Sequence, residues 1–468
     1  NAGAASSNPD DLTVLGNEVL FAATVPGVGR ELWKTDGTLA GTVLVADLVP
    51  GDGSGAPAWL VLMGNAVYFR AADPTGGAEL WVTDGTTAGT TRVADVRPGA
   101  ASSSPDLLTV AGSRVFFVAN DGVHGGELWS SDGTAGGTTL AADLNAGNGS
   151  TSFAALAPFG ARVLAAADPQ LGTGREPWVS DGTPGGTLLL ADLLPGGGTS
   201  APADFLDLGG VALFAADDGV HGRELFRTDG TPAGTALVAD LAPGAGGSAP
   251  SELSLHNGLA VFRASDVAGA EPWRSDGTAG GTFALADLAL GAGGSSPGGF
   301  ATVGAELWFG ASATGAGNEF FATDGTVAGT RLVADLMPGV ASTQPQAITA
   351  FGARVLFAGV FGGAGSEPCI TDGTLAGTAL LADVNGPSSN SNPEQFADLG
   401  GDVFFVAGSN GAGIEPYVSD GTPAGTALLA DVQPGSFGSN PEDAVAAGGR
   451  VFFQATLFGH GAELFAAD

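Results

Sequence analysis

The sequence has almost no cysteine, lysine or tyrosine, and each shortage excludes something. Its single cysteine, Cys369, has no partner within the chain for a disulfide. It stands where sister segments place Trp33 or Trp81, so it reads as a small, buried apolar substitute. Lysine occurs once, at Lys34; with the arginines there are 15 basic residues against 49 acidic ones, a net charge of −34. Such a chain would repel phosphates, which excludes nucleic acid as a partner. No apolar run approaches the roughly 18 residues that a membrane helix needs, so the visible chain carries no membrane span. Charged residues make up only 14% and apolar ones 44%, a balance foreign to disordered chains.

What is present is glycine, 80 residues of it, and one phrase repeated throughout. ELWKTDG at Glu31 returns as ELWVTDG at Glu79, ELWSSDG at Glu127 and EPWVSDG at Glu176. The Asp of this phrase falls at Asp36, Asp84, Asp132, Asp181, Asp229, Asp276, Asp324, Asp372, Asp420 and Asp468, spacings of 47 to 49 residues. Each unit reads S-x-P, then L-x-x-x-G-x-x-V-F-F, a variable glycine-rich stretch, G-x-E-L-W-x-T-D-G-T-x-x-G-T, and L-V-A-D-L-x-P-G. Periodicity at this length marks a repeat architecture. Residues 1–468 are expected to form one repeat domain of nine full units and one incomplete unit of about 48 residues. A chain that stops inside the hairpin motif favours an excerpt of a longer protein.

Within a unit, residues 12–15 and 19–22 are apolar runs around Gly16-Asn17, a dipeptide that closes tight hairpins. Residues 31–35 and 42–48 are rich in β-branched and aromatic side chains and are joined by DGTLAG, a second hairpin. Strand two is apolar on both faces (Val19, Leu20, Phe21), so each four-stranded sheet must be covered by neighbours. The expected fold is all-β: a β-propeller of four-stranded antiparallel blades, about ten in number, in a single large ring or an open spiral. The position of Trp33, Trp81, Trp129, Trp178, Phe226, Trp273, Phe321, Cys369, Tyr417 and Phe465 reads as inter-blade core, because its occupants share bulk more than chemistry.

These units resemble the ELWxxDGT repeat of bacterial, notably myxobacterial, secreted and surface proteins, and the resemblance covers essentially the whole chain. It implies a propeller at the cell surface or outside the cell. The T-D-G-T-x-x-G-T hairpin also resembles the Asp-box turn of sialidase-like and sortilin-like propellers, without the aromatic that usually ends it.

The acidity is largely carried by the motifs, which hold 29 of the 49 acidic residues. Pairing Asp36 with Thr42 across the turn sets Trp33 opposite Val45 and Glu31 opposite Asp47. Like charges so placed repel unless something lies between them. One reading is a Ca²⁺ site at each pair, Glu31/Asp47, Glu79/Asp95, Glu127/Asp143, Glu176/Asp192, Glu224/Asp240, Glu271/Asp287, Glu319/Asp335, Glu367/Asp383 and Glu415/Asp431. The other is that each carboxylate caps backbone amides. Ca²⁺ takes about six to eight oxygens, and two carboxylates are few.

His124, His221 and His460 occupy the same loop in non-consecutive units, too far apart to share one metal, and read as loop polarity. His256 has no companion. Tyr68 falls within a strand and Tyr417 in the Trp position, so neither reads as a nucleophile. No serine elbow, zinc spacing or phosphate loop occurs. Acidic pairs hydrolyse glycosides in some enzymes, but nine equivalent copies argue for structure.

The loop before each Glu changes most (TVPGVGR, DPTGGA, DPQLGTGR, VFGGAGS), and variable loops on a constant scaffold are where binding is built. The expected function is a non-enzymatic, extracellular or cell-surface scaffold for adhesion or ligand binding, its partner a protein or glycan at the cell surface. The alternative is self-assembly as the subunit of an extracellular filament or sheath, and the third reading is a glycan hydrolase.

Overall fold

Apolar runs on both faces of short strands demand stacked sheets, and stacked sheets are what these residues build. The computed structural model describes residues 6–339 and 341–468. Among them are nine four-stranded antiparallel sheets and one three-stranded sheet, with three single-turn 3₁₀ segments as the only helix. The all-β architecture of propeller blades expected from the repeats is therefore the architecture observed. Strands follow one another in chain order within each blade, numbered here 1 to 10.

Contacts divide the chain into two compact units, Asn1–Val238 with Gly244–Gly246, and Ala239–Pro243 with Gly247–Asp468. They carry blades 1 to 5 and 6 to 10. In each unit the first strands of successive blades lie side by side.

In blade 1 the strands are β1 (Asp10–Leu15), β2 (Glu18–Val25), β3 (Gly29–Thr35) and β4 (Val43–Ala46). The expected register of the second hairpin is corrected by one residue. Trp33 faces Leu44, not Val45, and a bulge then brings Leu32 opposite Ala46. The cause lies in the turn, where Thr35 and Thr42 join through their hydroxyls at 2.7 Å and leave Lys34–Val43 as the first ladder pair. Glu31 and Asp47 therefore lie beyond the last paired residues of this ladder.

Packing between blades follows the two-sided apolar pattern. Leu20, Leu32 and Val45 of blade 1 meet Val67, Phe69, Ala71 and Trp81 of blade 2, and Tyr68, Leu80 and Val93 of blade 2 meet Val115 and Phe117 of blade 3. The repeated tryptophan contributes bulk only, since the indole N–H groups of Trp33, Trp81, Trp129, Trp178 and Trp273 are buried without a hydrogen-bond partner. Cys369 in the same slot is fully buried, and burial pushes its thiol pKa far up, which makes it an inert core residue.

Strand one carries a feature that sequence patterning missed. Its start is bulged between Asp10 and Thr13, with Asp11 left-handed at φ 53°, and Trp59, Leu107, Asp204, Glu252, Ala347, Gln395 and Asp443 repeat that conformation. Non-glycine residues hold it only where neighbours support them. The Asp11 carboxylate accepts the N–H of Trp59 in the next blade at 3.2 Å, and Glu252 does the same for Gly299 at 3.1 Å.

Candidate functional site

Of the repeated carboxylates, the Glu of each ELW phrase is the more deeply placed. Glu31, Glu79, Glu127, Glu176, Glu224, Glu319, Glu367 and Glu415 are fully buried and Glu271 nearly so. A buried carboxylate needs partners, and these take them from the linker that leaves the fourth strand. Glu79 accepts the N–H of Val96 at 3.0 Å, the N–H of Ser103 at 2.9 Å and its hydroxyl at 2.6 Å. Glu31 does the same with the amides of Leu48, Val49 and Gly55. Equivalent bonds tie Glu127 to Leu144 and Thr151, Glu176 to Leu193 and Ser200, and Glu271 to Leu288 and Ser295. They also tie Glu319 to Leu336 and Thr343, Glu367 to Val384 and Ser391, and Glu415 to Val432 and Ser439. Burial outweighs these donors at Glu79 and raises its pKa, as it does at Glu31, Glu127, Glu176, Glu319, Glu367 and Glu415.

The second member of each pair faces outward. Asp47, Asp95, Asp143, Asp192, Asp240, Asp287, Asp383 and Asp431 are exposed and Asp335 is half-buried. Asp95, Asp143 and Asp335 each accept the amide of the glycine four residues on. Among the described residues, no three His, Cys, Asp or Glu side chains gather as metal ligands would. The pairs thus consist of a buried amide cap and a solvent-facing turn residue.

The Asp of DGT is spent locally. Asp84 accepts both the N–H and the hydroxyl of Thr86, at 2.9 and 2.6 Å, and Thr86 in turn accepts the N–H of Gly89 at 3.0 Å. The Thr86 hydroxyl is the main cause that holds the Asp84 pKa below its ordinary value. A side chain at Gly89 would meet the Asp84 carboxylate at 2.0 Å, which explains the second glycine of the motif.

His124 and His221 pair with Asp121 and Asp218 at 2.7 Å through Nδ1, and each Asp also caps the loop amides. His256 is buried beside Asn257 Nδ2 at 3.0 Å. Tyr68 and Tyr417 are buried phenols whose pKa burial raises.

Up-and-down strands put the loops between strands two and three at the same end of a blade as the linkers, and the DGT turns at the other. The loops run from two residues (267–268) to seven (169–175). Val123, Leu171 and Val220 in blades 3, 4 and 5, and Val267 and Phe458 in blades 6 and 10, are exposed at their tips. Phe361, an aromatic of the same loop set, instead packs partly buried against the core.

Blade 9 adds a cleft of 280 Å³ at this end. It is lined by Asn385, Asn390, Asn392, Glu394, Asn410 and Ile414, with Ser391, Ser409 and glycines between them. Attention to the loop before ELW alone misses it, because three of its asparagines lie in the linker. The readable signal is the stretch NGPSSNSN after residue 384, which carries three asparagines.

No family model matches the sequence, and no curated protein does. Solved structures similar in backbone include a puromycin hydrolase (TM-score 0.37, 12% identity, 96% of this chain and 58% of that one). A prolyl endopeptidase is similar at TM-score 0.37 and 11% identity over 79% of this chain and 54% of that one. The β-propeller domain of the Trilobed protease from Pyrococcus furiosus is similar at TM-score 0.33 and 11% identity, over 69% of this chain and 96% of that one. The chain thus spans little more than half of the first two.

Proposed function

We propose that the protein is a non-enzymatic binding scaffold of the bacterial cell surface or exterior, recognising a surface protein or glycan through the end of the blades that carries the loops and linkers. One observation carries this reading. The framework's repeated polar groups are consumed by the fold, whereas the loops differ in length and leave apolar tips in water on three successive blades. Exposed apolar side chains on variable loops are the usual material of recognition surfaces. The ELWxxDGT resemblance supports the location.

The test compares the wild-type protein with the triple variant Val123→Ser, Leu171→Ser, Val220→Ser for binding to myxobacterial envelope and exopolysaccharide. Loss of binding at an unchanged melting temperature is expected, and equal binding would overturn the assignment of these loops. Light scattering should find a monodisperse particle; large assemblies would move the reading to a filament or sheath. Turnover in a screen of glycosides would move it to a hydrolase.

A further inference from the structure

We propose that the cleft of blade 9 binds a neutral saccharide, an inference that rests on the scaffold reading and gives it a ligand class. The cleft occupies one place in the repeat where a common structural task has been handed to a larger side chain. In most blades the residue before the S-x-P phrase is Ser or Thr, and its hydroxyl accepts the amide that precedes the buried Glu. Ser54 serves Arg30 at 3.0 Å, Ser102 serves Ala78 at 2.9 Å and Ser150 serves Gly126 at 2.8 Å. At the corresponding position Asn390 serves Ser366 through Oδ1 at 2.9 Å. A hydroxyl doing this work is largely used up, but a carboxamide retains its NH₂ group. Among the described residues that NH₂ has no hydrogen-bond partner, and Asn390 belongs to the cleft lining.

The walls are fixed in advance. Asn385 accepts the Asn410 N–H at 2.8 Å and donates to the Asn390 carbonyl at 2.8 Å, locking the linker to the loop between the second and third strands of blade 9. Ser409 accepts the Ala412 N–H at 3.0 Å. Among the described residues the side chains of Asn392 and Asn410 have no hydrogen-bond partner, and both residues are exposed. Asn392 is held left-handed at φ 47°. Preorganised polar groups of this kind lower the cost of binding.

The chemistry selects the ligand. Three carboxamides with free donors and acceptors suit neighbouring hydroxyls, each of which both gives and takes a hydrogen bond. Glu394 is the only ionisable group in the lining, and no cation is there to receive phosphate, sulfate or carboxylate. An apolar margin completes the match to a sugar ring. Ile414, 41% exposed, supplies it within the lining. A volume of 280 Å³ is at the small end of ligand clefts, about 300 Å³ and upward, and suits a short segment of a chain.

Saturation-transfer NMR and calorimetry with cellohexaose, maltohexaose, mannohexaose and chitohexaose test the site on the full chain. At least one should bind the wild-type protein. Asn390→Ser, which restores the sister residue and its bond to Ser366, should weaken that binding about threefold or more, and Asn392→Ala with Asn410→Ala by about tenfold or more. Failure of all four sugars to bind, or binding indifferent to Asn390→Ser and to the double variant, would overturn the proposal. If the loop-tip variant still loses envelope binding while no sugar binds, the cleft is wrong and the scaffold reading stands. If neither binding is found, both fall.

Discussion

The turn between strands three and four and the linker that leaves strand four are both held by carboxylates, yet they have opposite freedoms. In the turn, Asp84, Thr86 and Gly89 satisfy one another within six residues, and a side chain at Gly89 would strike Asp84. Only the two residues between the Thr and the second Gly vary from unit to unit. In the linker, Glu79 grips Val96 and Ser103, with Gly99 tied to Asp95 and Ser102 to Ala78 between them, and the sequence there still changes, RPGAAS in this unit and NAGNGS in the next. A segment clamped at its ends can change its middle. That is how one linker comes to hold Asn390 where most others hold Ser or Thr.

The contrast is broken most severely by removing the clamp. Glu79→Ala strands two amides and a hydroxyl in the core and should cost about 3 kcal/mol or more in urea unfolding. A cost below that of Asp84→Ala would reverse the comparison. Next comes Gly89→Ala, whose methyl would lie 2.0 Å from Asp84, with about 1–3 kcal/mol expected by the same measurement.

Titration sharpens the comparison further. Burial holds Glu79 above its ordinary 4.5, while hydrogen bonds hold Asp84 below its ordinary 3.8. The signs are opposite. A raised acid favours folding in its protonated form, so the Glu79 contribution is greatest below pH 4.5 and declines as pH rises through the folded value. A depressed acid favours folding in its ionised form, so the Asp84 contribution is present above pH 3.8 and declines as pH falls through the folded value. Carboxyl NMR shifts should show the two residues titrating on opposite sides of these values.

A smaller effect belongs to the loops. Asp121 raises the His124 pKa above 6.5, so the pairing stabilises the loop fully below that pH and fades as pH rises through the folded value. Imidazole NMR titration of Asp121→Asn should bring His124 back toward 6.5. The smallest effect expected is that of calcium. With Glu79 already accepting three donors and Asp95 turned to water, melting curves in calcium and in chelator should coincide.

Periodicity made the blades legible, because apolar runs on both strand faces admit few coverings other than stacked sheets. The role of the ELW glutamates was legible only as a choice between cap and cation. Amide donors 17 and 24 residues downstream leave no trace in side-chain identity, apart from the Ser or Thr that adds a hydroxyl. The one-residue register correction at Trp33 came from a hydroxyl pair that no pairing rule anticipates. The cleft stayed hidden for a different reason, since an asparagine in a linker looks like ordinary turn chemistry until its carbonyl is seen to be employed and its NH₂ idle.

The linker bonds described for Glu31 and Glu79 lie within 24 residues of each, and the linker residue so held passes its own carbonyl to the next blade, as Gly55 does to Ala72 and Ser103 to Asn120. A copied stretch of gene one repeat long would therefore bring its own fastening and present the same receiving edge to whatever follows. Such a protein lengthens by duplication without renegotiating its interior, and each new copy is free to vary the loops it carries.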